Sequence, residues 1–490
     1  MKAKKLKAKK GKKSRRKGKV VKKKRQVTQN SVSGAALLLK IAQSYDMFHD
    51  ENKTAYVFLN NEVVALDSGK FKDFLSHEYY LKERTTPNEN MLTRVVRTLN
   101  GKALYGSKEV KLYNRVAKLG GTFYYDLGTG NAVKITGKDW SIVPAPILFR
   151  RYAHQQAQVT PVKGGDPWLV FKYLNVEKEH QLLVIVYIIT CFVPDIPHPI
   201  FHPYGSQGSG KTTICRIIKK LCDTSIIDVL ITPKDKSELV QILAHHHICI
   251  FDNISKIPNW MSDILCQACT GGGFSKRQLY TNEEDLIFQI RRCIGINGIS
   301  LLVSKPDLMD RTILLNLDRI DSSKTIEEEK LWTNFEADKP EILGGIFDVL
   351  VKAKSIYPTV NLAWLPRMAD FAKWGYAVTE AMGRDGQEFI EAYKSNIDRQ
   401  NEMVVEKSTL AQAVISLMDG KSSWEGTIKN AYEALKKIAS TDNWDWSFPK
   451  ASRMLREYLE RISPNLRSCG ISFEIGNKTK AGTPITFIKA

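Results

Sequence analysis

Residues 205–213 read Gly-Ser-Gln-Gly-Ser-Gly-Lys-Thr-Thr (GSQGSGKTT), and the reading of this stretch decides the fold. It fits the pattern G-x-x-x-x-G-K-[ST], with Gly205, Gly210, Lys211 and Thr212 at the fixed positions. The glycines let the backbone bend so that successive N–H groups, over Gly205, Ser206, Gln207, Gly208, Ser209, Gly210, Lys211, Thr212 and Thr213, can face a polyphosphate. Lys211 is placed to reach the β- and γ-phosphates, and the Thr212 hydroxyl to hold Mg²⁺. The segment ICRIIKKL that follows can form a helix whose positive N-terminal end faces the anion. A Gly/Ser-rich turn could match by chance. Against that, an apolar, Pro-punctuated stretch precedes the loop and a helical pattern follows it, as a strand–loop–helix unit requires.

The chain has 490 residues, enough for several domains, and its 43% hydrophobic and 26% charged composition is that of a globular protein. The net charge of +21 is uneven. Residues 1–27 contain thirteen Lys, three Arg and no acid, so the remainder is only mildly basic. With almost no apolar residues, this tail is expected to be disordered. It reads either as an arm for nucleic-acid phosphates, with salt-sensitive affinity, or as a solvated tail or localisation address. No apolar region follows it as in a signal peptide. The longest apolar run, residues 182–194, is too short to span a bilayer and predicts a buried helix, so no membrane association is expected. Eight scattered cysteines suit a reduced, cytoplasmic setting inside a host cell. Cys266 and Cys269 form one Cys-x-x-Cys without a second pair, which favours a helix face over a zinc site.

Beyond the tail, residues 28–161 read as an α+β module: a helical pattern from Leu37 to Phe48, alternating strands, a returning helix, then a β-meander with Gly-Gly turns. Arg150 and Arg151 end an apolar run and either meet phosphate or lie on the surface. Residues 162–199 form a helical collar, 200–320 alternate strand and helix around a parallel sheet, and 321–400 are helical, as a lid. Residues 401–490 carry three helical patterns and two terminal strands around a Lys/Gly turn, a pattern that suits a winged helix. There a helix from Pro449 would present Lys450, Arg453 and Arg456 to DNA, with Lys478 and Lys480 on the turn; a protein-contact module is the alternative.

Four further features follow the phosphate loop in order. The strand HHHICIFDN ends at Asp252, suited to holding Mg²⁺ beside Thr212. The next residue is Asn253, where ATPases of this kind usually carry a second acid to orient water. The catalytic base is therefore open: Asp263 or another carboxylate could serve, or turnover could be slow. His245, His246 and His247 read as structural. Residues 274–292 predict a long β-hairpin, leading into an apolar strand ending at Asn297, which either touches the attacking water or γ-phosphate or simply turns the chain before Gly298. Arg311 follows an acidic turn and precedes a strand. It reads as a finger for a neighbouring subunit's γ-phosphate or as a surface salt bridge.

This compact order resembles the superfamily 3 helicases, AAA+-related ring ATPases of viruses, phages, plasmids and genomic islands, and most closely the phage and poxvirus primase-helicase branch. The resemblance rests on Arg277-Gln278-Leu279-Tyr280, the strand ending in Asn297, Arg311, and stretches such as DNISKIPNWMSDILC, PDLMDR and LPRMADFA; it covers residues 200–375. It implies an α/β P-loop ATPase with an AAA+-like parallel sheet. It further implies a homo-hexamer that binds ATP and Mg²⁺, translocates on single-stranded DNA and replicates a mobile element. Carried over residue by residue, Lys211 and Thr212 contact phosphate and metal, Asp252 is the metal-side acid, Asn297 the sensor, Arg311 the trans finger and Arg367 a second sensor. The hairpin would line a pore, but its tip, residues 282–285, is acidic, so Lys276, Arg277 and Tyr280 are the candidate DNA contacts. No primase metal triad is recognisable, so primer synthesis is not expected. A nucleotide-switched DNA-binding initiator with weak hydrolysis, or an ATPase acting on protein or in phage defence, are the alternatives.

Overall fold

In the computed structural model, residues 33–277, 285–298, 302, 305–324, 326–439, 448–480 and 482–489 are described. The basic tail lies outside them. The chain builds three main hydrophobic cores.

The first core joins the helices Gly34–Ala42, Gly69–Glu83 and Glu89–Gly106 to a three-stranded antiparallel sheet, Met47–His49, Ala55–Leu59 and Glu62–Ala65. The helical pattern at 37–48 is shorter than its periodicity predicts. Ser44 Oγ donates to Ile41 O at 2.7 Å and ends the helix, and Met47–His49 pairs with residues 55–57 instead. Pairing buries Phe48 and His49 where a continued helix would leave them outside. The meander, strands Val116–Leu119, Thr122–Asp126, Asn131–Ile135 and Trp140–Pro144, does not share this core. Phe123, Tyr125, Val133 and Ile135 pack into the large central core.

That central core takes in the parallel sheet of residues 200–320 and the helices around it. The collar helix α1 (Lys178–Thr190) is buried without interruption from Leu182 to Thr190, as expected of a helix apolar on all faces. No helix among the described residues is long and apolar enough to cross a membrane. Then follow β1 (Ile200–Tyr204), α2 (Lys211–Cys222), α3 (Lys236–His245), β2 (Ile248–Phe251), α4 (Asn259–Thr270), the hairpin β3 (Gly272–Arg277) and β4 (Asp285–Ile290), β5 (Cys293–Ile296) and β6 (Thr312–Asn316). The sheet order is β6–β1–β5–β2, parallel throughout. Leu230 extends it by a parallel bridge to Phe251. The strands are buried on both faces, hence their continuous apolar runs. The hairpin is antiparallel from Gly272 opposite Ile290 to Arg277 opposite Asp285, so Arg291 and Arg292 leave it rather than belong to it.

The lid consists of α5 (Glu328–Ile356), α6 (Ala369–Ala381) and α7 (Gly386–Lys407). The collar loop seats directly on α5: a Cβ on Gly344 would lie 1.5 Å from Val162 O, so only glycine permits the contact. Edge strand β6 needs partners for its outward backbone groups. Helix α7 supplies them. The Asn396 side chain accepts from Leu314 N at 3.1 Å and donates to Leu314 O at 2.6 Å, and Gln400 Nε2 donates to Thr312 O at 2.7 Å.

The C-terminal domain has its own core. Its order is α8 (Thr409–Leu417), β7 (Ser423–Thr427), α9 (Ile428–Ala439), α10 (Leu455–Ser468), β8 (Ile471–Ile475) and β9 (Pro484–Lys489). Two details differ from the sequence reading. The sheet has three strands, β7–β9–β8, not two, because Ser423–Thr427 pairs along β9. The last helix begins at Leu455 after a 3₁₀ turn at Ser452–Met454, so Lys450 and Arg453 precede it.

Candidate nucleotide site

The phosphate loop leaves the C-terminal end of β1 and enters α2, with Gly210 immediately before the helix. Gly205 has φ 144°, and a Cβ there would lie 2.2 Å from Leu317 O. The loop can pass the end of β6 only as glycine. Two bonds fix this passage: Leu317 N donates to Tyr204 O at 2.9 Å and Ile320 N to Gly208 O at 3.2 Å. The sequence reading missed Asn175 in the collar. Its Nδ2 donates to Ser209 O at 3.2 Å and Asp318 O at 2.7 Å, tying the loop to the segment after β6. A lone Asn in a loop carries no signal for such a long-range clamp.

Lys211 folds over the loop. Its Nζ donates to Gly205 O at 2.9 Å, Ser206 O at 2.6 Å and Ser209 Oγ at 3.3 Å. Burial lowers its pKa from the ordinary lysine value, and Asp252 opposes that shift. An ammonium held by neutral oxygens gains from an anionic partner, so the loop suits a phosphate chain. Gln207 and Gly208 are exposed at the loop's crest, and Thr213 continues into the first turn of α2.

Two adjacent strands deliver the remaining polar groups. Asp252 follows β2, and its N–H donates to Leu230 O at 3.0 Å. Asn297 follows β5, which lies between β1 and β2. Thr212 Oγ1 donates to Asp252 Oδ1 at 3.3 Å, and Asn297 Nδ2 reaches the same oxygen at 2.5 Å and Thr212 Oγ1 at 3.4 Å. Asn297 is thus more than a turn former: it is buried and bonded to both groups. One hydroxyl and one carboxylate beside a phosphate loop fit Mg²⁺, which takes one or two protein ligands plus substrate phosphate and water.

Asn253 adopts φ 53°, and its N–H donates to Asp252 Oδ1 at 2.8 Å. Left-handed backbone favours Asn over longer side chains, which gives a conformational reason for Asn here. Asp263 is not a free base: it pairs with Lys305 at 2.8 Å.

Arg311 and Arg367 lie elsewhere. The Arg311 carbonyl accepts from Ile200 N at 2.7 Å, at the start of β1. The phosphate loop begins at the other end of that strand, ~13 Å away at ~3.3 Å per residue. Arg311 Nη1 and Arg367 Nη2 both meet Asp307 Oδ1, at 2.6 and 2.8 Å, and Arg367 also reaches Asp310 at 3.6 Å. Arg367, the candidate second sensor, is thus placed away from this chain's own phosphate loop. It sits beside Arg311, because Asp307 and Asp310 draw both guanidinium groups together. Arg311 Nε is buried without a partner among the described residues.

Of the candidate DNA contacts, Tyr280 lies outside the described residues, and Lys276 and Arg277 are placed by backbone on β3 opposite Leu286 and Asp285. Lys450 and Arg453 are exposed, as are Lys478 and Lys480, while Arg456 pairs with Glu460 at 2.8 Å. Arg150 and Arg151 are bound to acids, Asp50 at 2.9 Å and Asp126 respectively. Cys266 and Cys269 are buried on one helix, with Cys269 Sγ on Cys266 O.

The histidine run is structural. His246 stacks on His154 with centroids 3.8 Å apart, and its Nδ1 meets Lys219 Nζ at 3.1 Å; His247 Nε2 bonds Cys191 O at 2.8 Å. Lys219 also bonds Asp223 at 2.7 Å, and Asp223 pairs with fully buried Arg115 at 2.9 Å. Burial alone would raise the Asp223 carboxyl, but Lys219 and Arg115 hold it well below the ordinary range. Burial, then Lys219, lowers His154 to about 4 and His246 to about 2.

Residues 169–402 match the family described as actinomycete integrative conjugative element replication protein, and residues 410–490 match the C-terminal domain of the same replication proteins. No curated protein matches the chain by sequence. Among solved structures, SCCmec type IV Cch, an active helicase, aligns over 91% of this chain and 93% of its own, with 12% identity and TM-score 0.48. The apo NrS-1 C-terminal region in its A form aligns over 94% of this chain and 100% of its own, with 11% identity and TM-score 0.41.

Proposed function

We propose, from the match of residues 169–402 and 410–490 to replication proteins of actinomycete integrative conjugative elements, that the chain is such an element's ATP-dependent DNA helicase, a ring of identical subunits, six by resemblance, working inside the host cell. The observation that carries this reading is the meeting of Thr212, Asp252 and Asn297 beside the Lys211 loop, with Arg311 at the far end of the same sheet. A site whose finger lies one strand length away is incomplete within one chain. Head-to-tail packing of identical chains brings one chain's far end to the next chain's loop and closes into a ring.

In this mechanism ATP is the substrate. Gly205–Thr213 bind its phosphates and Lys211 leaves its loop carbonyls for the β- and γ-oxygens. Thr212 and Asp252 would hold Mg²⁺, which neutralises charge on the phosphates. Asn297 orients Asp252 and faces the attacking water. Arg311 of the adjacent subunit, with Arg367 beside it, stabilises the charge that develops on the γ-phosphoryl group. The C-terminal order helix–strand–helix–helix–strand–strand supports a winged helix. It would present Lys450, Arg453 and Arg456 to DNA, with Lys478 and Lys480 on the wing.

The test is ATP hydrolysis with and without single-stranded DNA, followed by unwinding of a forked duplex, with Lys211→Ala as control. DNA-stimulated hydrolysis and unwinding, both lost in the control, are expected. Asn253 favours one second reading, a nucleotide-switched DNA-binding initiator with weak hydrolysis. That reading predicts nucleotide-dependent DNA binding without unwinding.

A further inference from the structure

A cleft of about 1130 Å³ separates the N-terminal module from the base of the β3–β4 hairpin. Its volume exceeds the ~300–1,000 Å³ of ordinary small-molecule sites. One wall carries Lys111, Tyr113 and Tyr152; the other carries Gly271–Gly273, Arg291 and Arg292.

Three of the six Lys and Arg on these walls are balanced. Arg150 pairs with Asp50, Arg151 with Asp126 and Lys70 with Glu62. Three are not. Lys111 has no ion pair among the described residues and lies 5.1 Å over the Tyr113 ring. Arg291 donates to a carbonyl, Asp195 O. Among the described residues, Arg292 donates only to carbonyls: Leu243 O at 2.7 Å, Arg291 O at 2.8 Å and Ala244 O at 3.4 Å. Asp195 is the one lining carboxylate without a cation partner among the described residues, so the positive charge is in excess. A half-buried guanidinium without a counter-charge leaves part of its desolvation cost unmet, and burial lowers Arg292 from its ordinary range. Such a wall is completed by an anion.

We propose that this cleft holds single-stranded nucleic acid, with Lys111, Arg291 and Arg292 on its phosphates and Tyr113 stacking on a base. The proposal rests on the helicase reading and names where the strand meets the N-terminal module. A concave, aromatic-lined, positive groove takes in one strand, whereas duplex readout needs a protruding element to enter a groove. The hairpin base forms one wall of the cleft, so a strand lying there runs against the hairpin.

The test uses the full chain and a fluorescein-labelled oligo-dT. Anisotropy is measured over a salt series for the wild type and for Lys111→Gln/Arg291→Gln. The basic tail contributes equally to both. The variant is expected to bind at least tenfold more weakly. Its salt slope should be smaller by about 1.4, from two lost contacts at ~0.7 each for single strands, with an unchanged melting temperature. An oligonucleotide carrying 4-thiouracil should crosslink to Tyr113. Wild-type affinity and slope in the variant, or displacement by polyglutamate as readily as by unlabelled oligo-dT, would overturn the cleft assignment alone. Absence of any DNA binding by the wild type would overturn the helicase reading with it.

Discussion

Asn297 Nδ2 meets Asp252 Oδ1 at 2.5 Å, across the ends of two adjacent parallel strands. The amide therefore fixes which carboxylate oxygen remains for a metal, and it does so from the strand next to the phosphate loop. Asn297→Ala should leave nucleotide affinity within a few-fold and cut hydrolysis by about 10²-fold, the scale of one lost preorganised donor. Fluorescent-nucleotide titration and steady-state hydrolysis check the two parts. Equal loss of both would make Asn297 a binding group only.

Asn253 combines left-handed backbone with an exposed side chain next to Asp252. Asp tolerates that conformation nearly as well as Asn. Asn253→Asp should therefore fold normally and raise DNA-stimulated turnover, because it adds a carboxylate where a water-orienting acid is wanted. Unchanged turnover would place the base elsewhere.

Asp307 holds two guanidinium groups on one oxygen. Asp307→Ala removes the shared carboxylate, leaving Arg311 on the main-chain carbonyl of residue 307 and Arg367 on Asp310, and should lower hydrolysis by about tenfold in assembled protein, about 1.4 kcal/mol of lost positioning. Nucleotide binding by the subunit should not change, which a titration of the variant would show.

The His154–His246 stack predicts a pH response. Both rings are held neutral in the folded chain, with pKa values lowered to about 4 and about 2. Unfolded histidines bind protons below about 6.5, so the unfolded state gains protons that the folded state refuses. Stability should fall as pH drops from 6.5 towards 4. His154→Phe keeps an aromatic stack and removes one titrating group. The slope of melting temperature against pH should be shallower over that window, and an identical slope would contradict the assignment.

Arg115→Met removes one of the two cations that face buried Asp223 and leaves it with Lys219. The expected cost is ~3–5 kcal/mol, as for one partner removed from a buried ion pair, read by denaturant unfolding. The network joins the meander to α2, neighbouring parts of one core.

The phosphate loop, Asp252 and Asn297 were legible because each is a polar residue at the end of an apolar strand, a pattern written in consecutive residues. The buried helix at 182–190 was legible for the same reason. The clamps were not. Asn175 on the loop, Asn396 and Gln400 on β6, and Arg115 on Asp223 each act across long sequence separations, where no local pattern marks the partner. Strand β7 was missed because Ser423, Glu425 and Gly426 have little strand propensity; pairing with β9 makes it a strand. Arg367 could not be placed from sequence because its position follows from Asp307 and Asp310 together.

The claim that hydrolysis occurs between subunits is tested most directly by mixing two inactive variants. Lys211→Ala lacks the loop lysine but keeps Arg311; Arg311→Ala keeps the lysine and lacks the finger. Each alone should hydrolyse ATP at background rate. In randomly mixed rings about a quarter of the seams pair an intact loop with an intact finger, so DNA-stimulated hydrolysis should recover to about that fraction. Recovery is the predicted result. A mixture as inactive as its parents, or full activity of Arg311→Ala alone, would contradict the account.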